Sequence, residues 1–245
     1  MMITKSVLKF IKSLQLKKNR IEHQRFLVEG VKSVRELLNS DIEVDTIVAT
    51  SDFIRENRND FDPGLITEIK ATDINAIGSF KNNNSVIAIA KIPMSLEVSI
   101  SNDEYVLALD DVRDPGNLGT IIRIADWYGI TQIIASPTTA DFYNPKVISA
   151  SMGSFARVKM QYVDLASKLE SYQGEIYGAL MDGISIHQQY FGSGGVIVMG
   201  NESVGISKEV ESILTNRITI PKFGEAESLN VGIATAIICD RLRNS

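Results

Sequence analysis

The chain has 245 residues, 44% hydrophobic and 22% charged, which excludes wholesale disorder and leaves room for one large domain or two unequal ones. A single cysteine, Cys239, excludes an internal disulfide framework and a Cys-rich zinc site. With only two histidines, His23 and His187, a His-dominated metal site or a Ser-His-Asp triad is barely constructible, so no metal is expected. The net charge of −5 is uneven: residues 1–40 hold nine Lys/Arg against three Glu, a net +6, and the remainder holds 16 basic and 27 acidic residues, a net −11.

A basic arm on an acidic body points to a local phosphate-binding surface, although Val7, Leu8, Ile11 and Leu14 also give the arm one apolar helical face, with Lys5, Lys9 and Lys12 outside it. After this helix, Arg25–Glu29 reads as a strand, Gly30 as a break and Lys32–Leu38 as a helix. Strands follow at Val44–Ala49, Leu65–Ile69 and Val86–Ala90, with helix candidates at Ser51–Asn57 and Thr72–Ser79. Residues 1–92 thus form a small α/β unit, and 93–104, with Pro93 and several serines, read as a linker.

Residues 105–245 open with Tyr105–Leu109, an apolar run suited to a strand buried on both faces. Similar runs recur at Gln132–Ala135, Ile176–Leu180, Val196–Met199 and Arg217–Ile220, with helical stretches between them. That alternation predicts a mostly parallel sheet with ligands at its C-terminal edge. No apolar run reaches about 18 residues, so no membrane span is expected, and the basic N-terminus lacks the apolar stretch and cleavage site of a signal peptide. A soluble, cytoplasmic protein is the expectation.

Three segments of this half carry polar residues beyond what folding requires. In DDVRDPGNLGTIIRIAD (110–126) the chain turns through Asp114-Pro115-Gly116 and enters a helix near Asn117, a good capping residue. Ile121, Ala125 and Tyr128 form that helix's buried face, and Arg123 falls off it. In VIVMGNESVGIS (196–207) an apolar strand ends in Gly200, Glu202 and Gly205; glycines there let a ligand approach the backbone, and the string is not the dinucleotide fingerprint. In ITIPKFGEAESLNVGIATAIICD (218–240) Ser228 is placed to cap a helix from Leu229, which lacks charge as far as Cys239 and is expected to be buried all round.

Asn117-x-Gly119-x-x-x-Arg123, Gly200-x-Glu202-x-x-Gly205 and Ile220-Pro221 followed by Ser228-Leu229-Asn230-Val231 together closely resemble the three ordered motifs of the SpoU/TrmH family of RNA ribose 2′-O-methyltransferases, within the SPOUT superfamily. Asn144-Pro145-Lys146 and Ser149–Gly153 resemble that family's connecting region, and SLQLKKNR (13–20) with RFLVEGVKSVREL (25–37) resemble the substrate-binding domain often fused ahead of it. Ser203 and Lys222 depart from the pattern. The resemblance implies an α/β parallel-sheet domain with a deep trefoil knot, preceded by a small α/β RNA-binding domain. It also implies a homodimer and S-adenosylmethionine as cofactor, held by Met199, Gly200, Gly205, Ile220 and Leu229. Arg123, Asn117, Glu202, Ser228 and Asn230 would carry the chemistry, and Lys17, Lys18, Arg20 and Arg25 would hold RNA. Large-subunit ribosomal RNA is the preferred substrate; transfer RNA, or a non-catalytic RNA-binding or ribosome-assembly role, are the alternatives.

Overall fold

The computed structural model describes residues 4–57, 61–80, 85–94 and 97–244; the start of the basic arm, and Ser95 and Leu96 of the expected linker, lie outside the described residues. Proximity of Cα atoms divides the chain into two units, Met1–Ser95 with Asp141–Ala156, and Leu96–Ala140 with Arg157–Ser245. The sequence reading places one boundary, at 93–104; the return of 141–156 to the first unit has no counterpart in it.

In the first unit, α1 (Lys5–Ser13) and α2 (Lys17–His23) precede β1 (Arg25–Glu29), α3 (Val31–Leu38), β2 (Val44–Ala49), α4 (Ser51–Glu56), a short β3 (Ile66–Glu68), α5 (Ala71–Ile77) and β4 (Val86–Lys91). The strands form a mixed sheet of order β1-β4-β2-β3, in which β4 runs antiparallel to both neighbours and β2 and β3 are parallel. Alternate strand residues face opposite sides. Leu27, Val48, Ile87 and Ile89 share a core with Ile11 and Leu14 of the arm and with Ile74 and Ile77 of α5. Phe26, one residue from Leu27, instead meets the rings of Tyr143 and Phe155 at 4.7 and 6.1 Å, and the helix Pro145–Ala150 of the 141–156 segment packs along β1. The apolar face of the N-terminal helix therefore anchors the arm to the sheet.

Arg20, expected at RNA, lies inside the first unit. Arg20 is 2% exposed; its guanidinium donates to the carbonyls of Leu14 and Gln15 at 2.9 and 2.8 Å and pairs with Asp141 at 2.5 Å. Those groups close the C-terminal end of α1, so this charge is spent on folding. Arg25 is ion-paired with Asp45. Lys17 and Lys18, both exposed, are the cations of the cluster that face solvent.

The second unit runs β5 (Tyr105–Leu109), α6 (Pro115–Trp127), β6 (Gln132–Ala135), then, after α7 (Pro145–Ala150) of the first unit, β7 (Lys159–Tyr162), α8 (Leu165–Glu170), β8 (Ile176–Ser185), β9 (Gly195–Met199), α9 (Lys208–Glu211), β10 (Asn216–Thr219) and α10 (Val231–Arg243). Its six strands lie in the order β10-β8-β9-β5-β6-β7, and every neighbouring pair is parallel. β5 and β9 are buried at every position, as expected for strands covered on both faces. From β5 the sheet grows outward through β6 and β7 on one side, and through β9 and β8 on the other. Ligands bind such sheets outside the carboxyl ends of the strands at this switch. Leu109 and Met199 end the two strands that flank it.

α6 and α10 pack on each other. α6 buries Leu118, Ile121, Ile122 and Ala125 and leaves Arg123 exposed, as its spacing predicts. α10 departs from expectation. It buries Val231, Gly232, Thr235, Ile238, Cys239 and Leu242, but Ile233 is 53% exposed and Ile237 half-buried, so one apolar face is uncovered.

Candidate active site

Three connections at the C-terminal edge of the parallel sheet build the site. After β5, Asp110 is buried and accepts the Ser207 N–H at 2.7 Å, tying the first connection to the start of α9. Asp114, not Asn117, caps α6: its carboxylate accepts the Asn117 N–H at 2.9 Å, with Pro115 in the first turn. Relieved of capping, the Asn117 amide is available to other groups.

After β9, Gly200 lies so close to the returning chain that a Cβ there would sit 2.4 Å from the carbonyl carbon of Gly205. Asn201 and Gly205 exchange two backbone hydrogen bonds of 3.0 and 2.9 Å, and the Asn201 side-chain oxygen accepts the N–H groups of Ser203 and Val204 at 2.8 and 3.3 Å. Gly205 closes this turn at φ +74°, where a side chain would be strained. The result is a small rigid ring with Glu202 exposed on it.

After β10, residues 220–230 carry no regular structure, and α10 begins at Val231. Asn230 is its cap, two residues beyond the expected Ser228: its Oδ1 accepts the N–H groups of Gly232 and Ile233 at 3.0 and 3.3 Å. That fixes the orientation of the Asn230 amide, because its oxygen is committed to the helix. Its Nδ2 then donates to Asn117 Oδ1 at 2.9 Å, and the Asn117 Nδ2 in turn donates to Glu202 Oε1. The start of α10 therefore sets the polarity of a relay running through all three motifs, Asn230 to Asn117 to Glu202.

Beside this relay lies a cleft of about 630 Å³, within the range of small-molecule sites. Met199, Gly200, Gly205, Ile220 and Leu229, the five residues expected at the cofactor, all line it, together with Glu202 and Ser228. Asn117 and Asn230 reach it through Glu202, whereas Arg123 is exposed on α6 and is not among the lining residues. The lining fits S-adenosylmethionine chemically. Ile218, Ile220 and Leu229 offer apolar surface for an adenine ring, and two carboxylates, Glu202 and Glu227, against one ammonium, Lys222, suit a ligand carrying a sulfonium and an ammonium against one carboxylate. Lys222, the departure from the family pattern, is thus on the cleft wall.

Sequence reasoning passed over three residues that shape the site, Asp110, Asp111 and Asn201, and gave Asp114 a turn and not a cap. Asp111 lies at φ +62° and its carboxyl is held below the ordinary carboxylate range, chiefly by the hydrogen bond from Arg113. The available signal was position: two aspartates directly after a buried strand, and an asparagine between Gly200 and Glu202.

The SpoU rRNA Methylase family matches residues 104–240, and an MRM3-like substrate binding domain matches residues 5–88. The chain belongs to the SpoU rRNA methylase family. The 23S rRNA (guanosine(2553)-2'-O)-methyltransferase RlmP of Bacillus subtilis is 30% identical over 239 residues, covering 95% of this chain and 94% of its own. A TrmH-family protein from Porphyromonas gingivalis superposes with a TM-score of 0.89 at 35% identity, over 100% of this chain and 99% of that one. An AdoMet-bound rRNA methyltransferase from Sinorhizobium meliloti gives 0.88 at 29% identity, over 99% and 95%.

Proposed function

We propose that this protein is an S-adenosylmethionine-dependent methyltransferase acting on a ribose 2′-hydroxyl of large-subunit ribosomal RNA. The observation that carries the reading is the Asn230–Asn117–Glu202 relay at the edge of a cleft lined by all five expected cofactor residues. Full-length similarity to a 23S ribosomal RNA enzyme favours ribosomal over transfer RNA, and intact Asn117, Glu202 and Asn230 speak against a non-catalytic binding module.

S-adenosylmethionine supplies an activated methyl on a sulfonium, so the protein's task is to orient the ribose oxygen and help its proton depart. Met199, Gly200, Gly205, Ile220 and Leu229 hold the cofactor. Asn117, Ser228 and Asn230 position the ribose by hydrogen bonds, with Glu202 fixing the Asn117 amide. Arg123 is too basic to take a proton; its role is electrostatic, stabilising the developing alkoxide or gripping the adjacent phosphate, which is itself a proton acceptor. The working form is a homodimer. The half-exposed apolar face of α10 and the 81% exposed Trp127, four residues from Arg123 on α6, support this: a second copy covering Trp127 would also lie close to Arg123, which its own chain leaves outside the cleft. The trefoil knot expected from the family resemblance belongs to this reading too. No described helix is long and apolar enough to cross a membrane, which suits a cytoplasmic enzyme working on ribosomal RNA.

The test is transfer of tritium from methyl-labelled S-adenosylmethionine into unmodified 23S ribosomal RNA, 16S ribosomal RNA and transfer RNA, with the modified nucleotide mapped as a ribose methylation. Label in 23S RNA alone is the expected result; label in transfer RNA alone moves the substrate assignment, and none in any RNA removes the enzymatic reading.

A further inference from the structure

Arg113 lies on the β5–α6 connection, four residues before Asn117. Its side chain is 70% exposed, yet it is tethered: Nε donates to Asp111 Oδ1 at 2.8 Å. Asp111 is itself held on several sides. Its N–H donates to Ser136 Oγ at 2.8 Å, and its carbonyl oxygen and Oδ2 accept from Asn201 Nδ2 at 2.9 and 3.3 Å. At φ +62° the backbone would suit glycine better. What aspartate adds over glycine is the carboxylate, and that carboxylate spans from Asn201 to Arg113.

Neither terminal amino group of Arg113 has a hydrogen-bond partner among the described residues, so a guanidinium clamped at Nε presents its outer donors to solvent. The neighbouring carboxylates are already engaged: Asp110 with the Ser207 N–H, Asp111 with Arg113 and Asp114 with the Asn117 N–H. The clamp is shared with the catalytic ring, because Asn201, which holds Asp111, also holds the turn bearing Glu202. A surface ion pair formed only for stability would not need a strained backbone and a shared anchor.

We propose that Arg113, aimed by Asp111, grips a backbone phosphate of the substrate RNA beside the ribose that is methylated. The proposal deepens the methyltransferase reading and rests on it. Asp111 is a positioning residue, acting through Arg113.

The experiment measures binding of an unmodified 23S ribosomal RNA transcript to the full-length protein with S-adenosylmethionine present, across a salt series. Arg113→Gln is expected to bind about tenfold more weakly at ~0.1 M salt and to flatten the log–log salt slope by about 0.7–0.9, the loss of one phosphate contact. Arg113→Lys should keep the slope and most of the affinity. Asp111→Asn tolerates the left-handed backbone and keeps an acceptor for Asn201 but releases Arg113; an intermediate loss of affinity with an unchanged slope is expected. Cofactor affinity by calorimetry should not change in any of them, and in turnover Arg113→Gln should raise KM for RNA more than it lowers kcat. Wild-type affinity and slope in Arg113→Gln would overturn the proposal, as would an Arg113→Lys variant as weak as Arg113→Gln with the slope intact, which would indicate base reading. If the wild-type protein binds the transcript but transfers no methyl, the reaction assigned above fails while the binding series still decides Arg113; no salt-dependent binding by the wild type would overturn both.

Discussion

Asn230 performs two jobs with opposite ends of one amide, and two substitutions separate them. Its Oδ1 caps α10 through Gly232 and Ile233, and its Nδ2 orients Asn117. Asn230→Ala removes both; loss of a cap of this kind costs about 1 kcal/mol. For a chain of this size that lowers the melting temperature by about 2–4 °C. Asn230→Ser keeps a capping oxygen and no donor in reach of Asn117, so its melting temperature should stay within about 1 °C of wild type. Without the donor, Asn117 keeps only its bond to Glu202 and its oxygen end is left unheld, and mispositioning of this sort costs on the order of tenfold to a hundredfold in rate. Scanning calorimetry and tritium transfer into ribosomal RNA read the two effects separately. The expected pattern is a stable but slow Ser variant and an Ala variant that is equally slow and less stable. A Ser variant with wild-type transfer would show that the relay does not serve the reaction, and equal destabilisation of both variants would remove the capping assignment.

Three further outcomes are expected. Arg123→Ala, on the exposed side of α6, should change stability by no more than about 0.5 kcal/mol, leave cofactor binding intact by calorimetry and abolish methyl transfer; parallel loss of binding and transfer would mark Arg123 as structural. The N-terminal cluster should split: Lys17→Glu with Lys18→Glu lowers RNA affinity and its salt slope without unfolding the protein, whereas Arg20→Ala strands Asp141 and costs about 3–5 kcal/mol in chemical denaturation. Burial pushes the Cys239 thiol from 9.0 up to about 12. The folded state therefore holds this proton more tightly than the unfolded chain, so the contribution to stability is full below pH 9 and is lost as pH rises towards 12. At pH 8 a thiol reagent should label Cys239 only as fast as the protein opens; rapid labelling of the native protein would contradict the burial.

The elements legible in the sequence were those with a local cause. Tyr105–Leu109 and Val196–Met199 are uninterrupted apolar runs, and both are central buried strands. Helix starts were displaced wherever several capping residues compete within one loop. Asp114 and Asn117 both qualify chemically, as do Ser228 and Asn230, and only the folded backbone decides which oxygen meets the N–H groups. Lys159–Tyr162 is a strand with no apolar run, formed because β6 offers it an edge. The family resemblance supplied the cleft residues as a set. It did not supply Asp111, whose part depends on Ser136 and Asn201, far away in the chain. Arg20 read as a phosphate ligand because a cluster of cations has no visible inside; its burial depends on Asp141, more than a hundred positions later.

The homing of residues 141–156 onto β1 decides how this molecule can be dissected genetically. A fragment ending at residue 94 would leave Phe26 without Tyr143 and Phe155, its ring contacts, and one starting at residue 97 would carry Val147 and Ile148, both buried in the intact chain, without the strand β1 that their helix packs along. Neither truncation product is a faithful stand-in for its half, and loss of solubility in either would report a severed scaffold, not a missing activity.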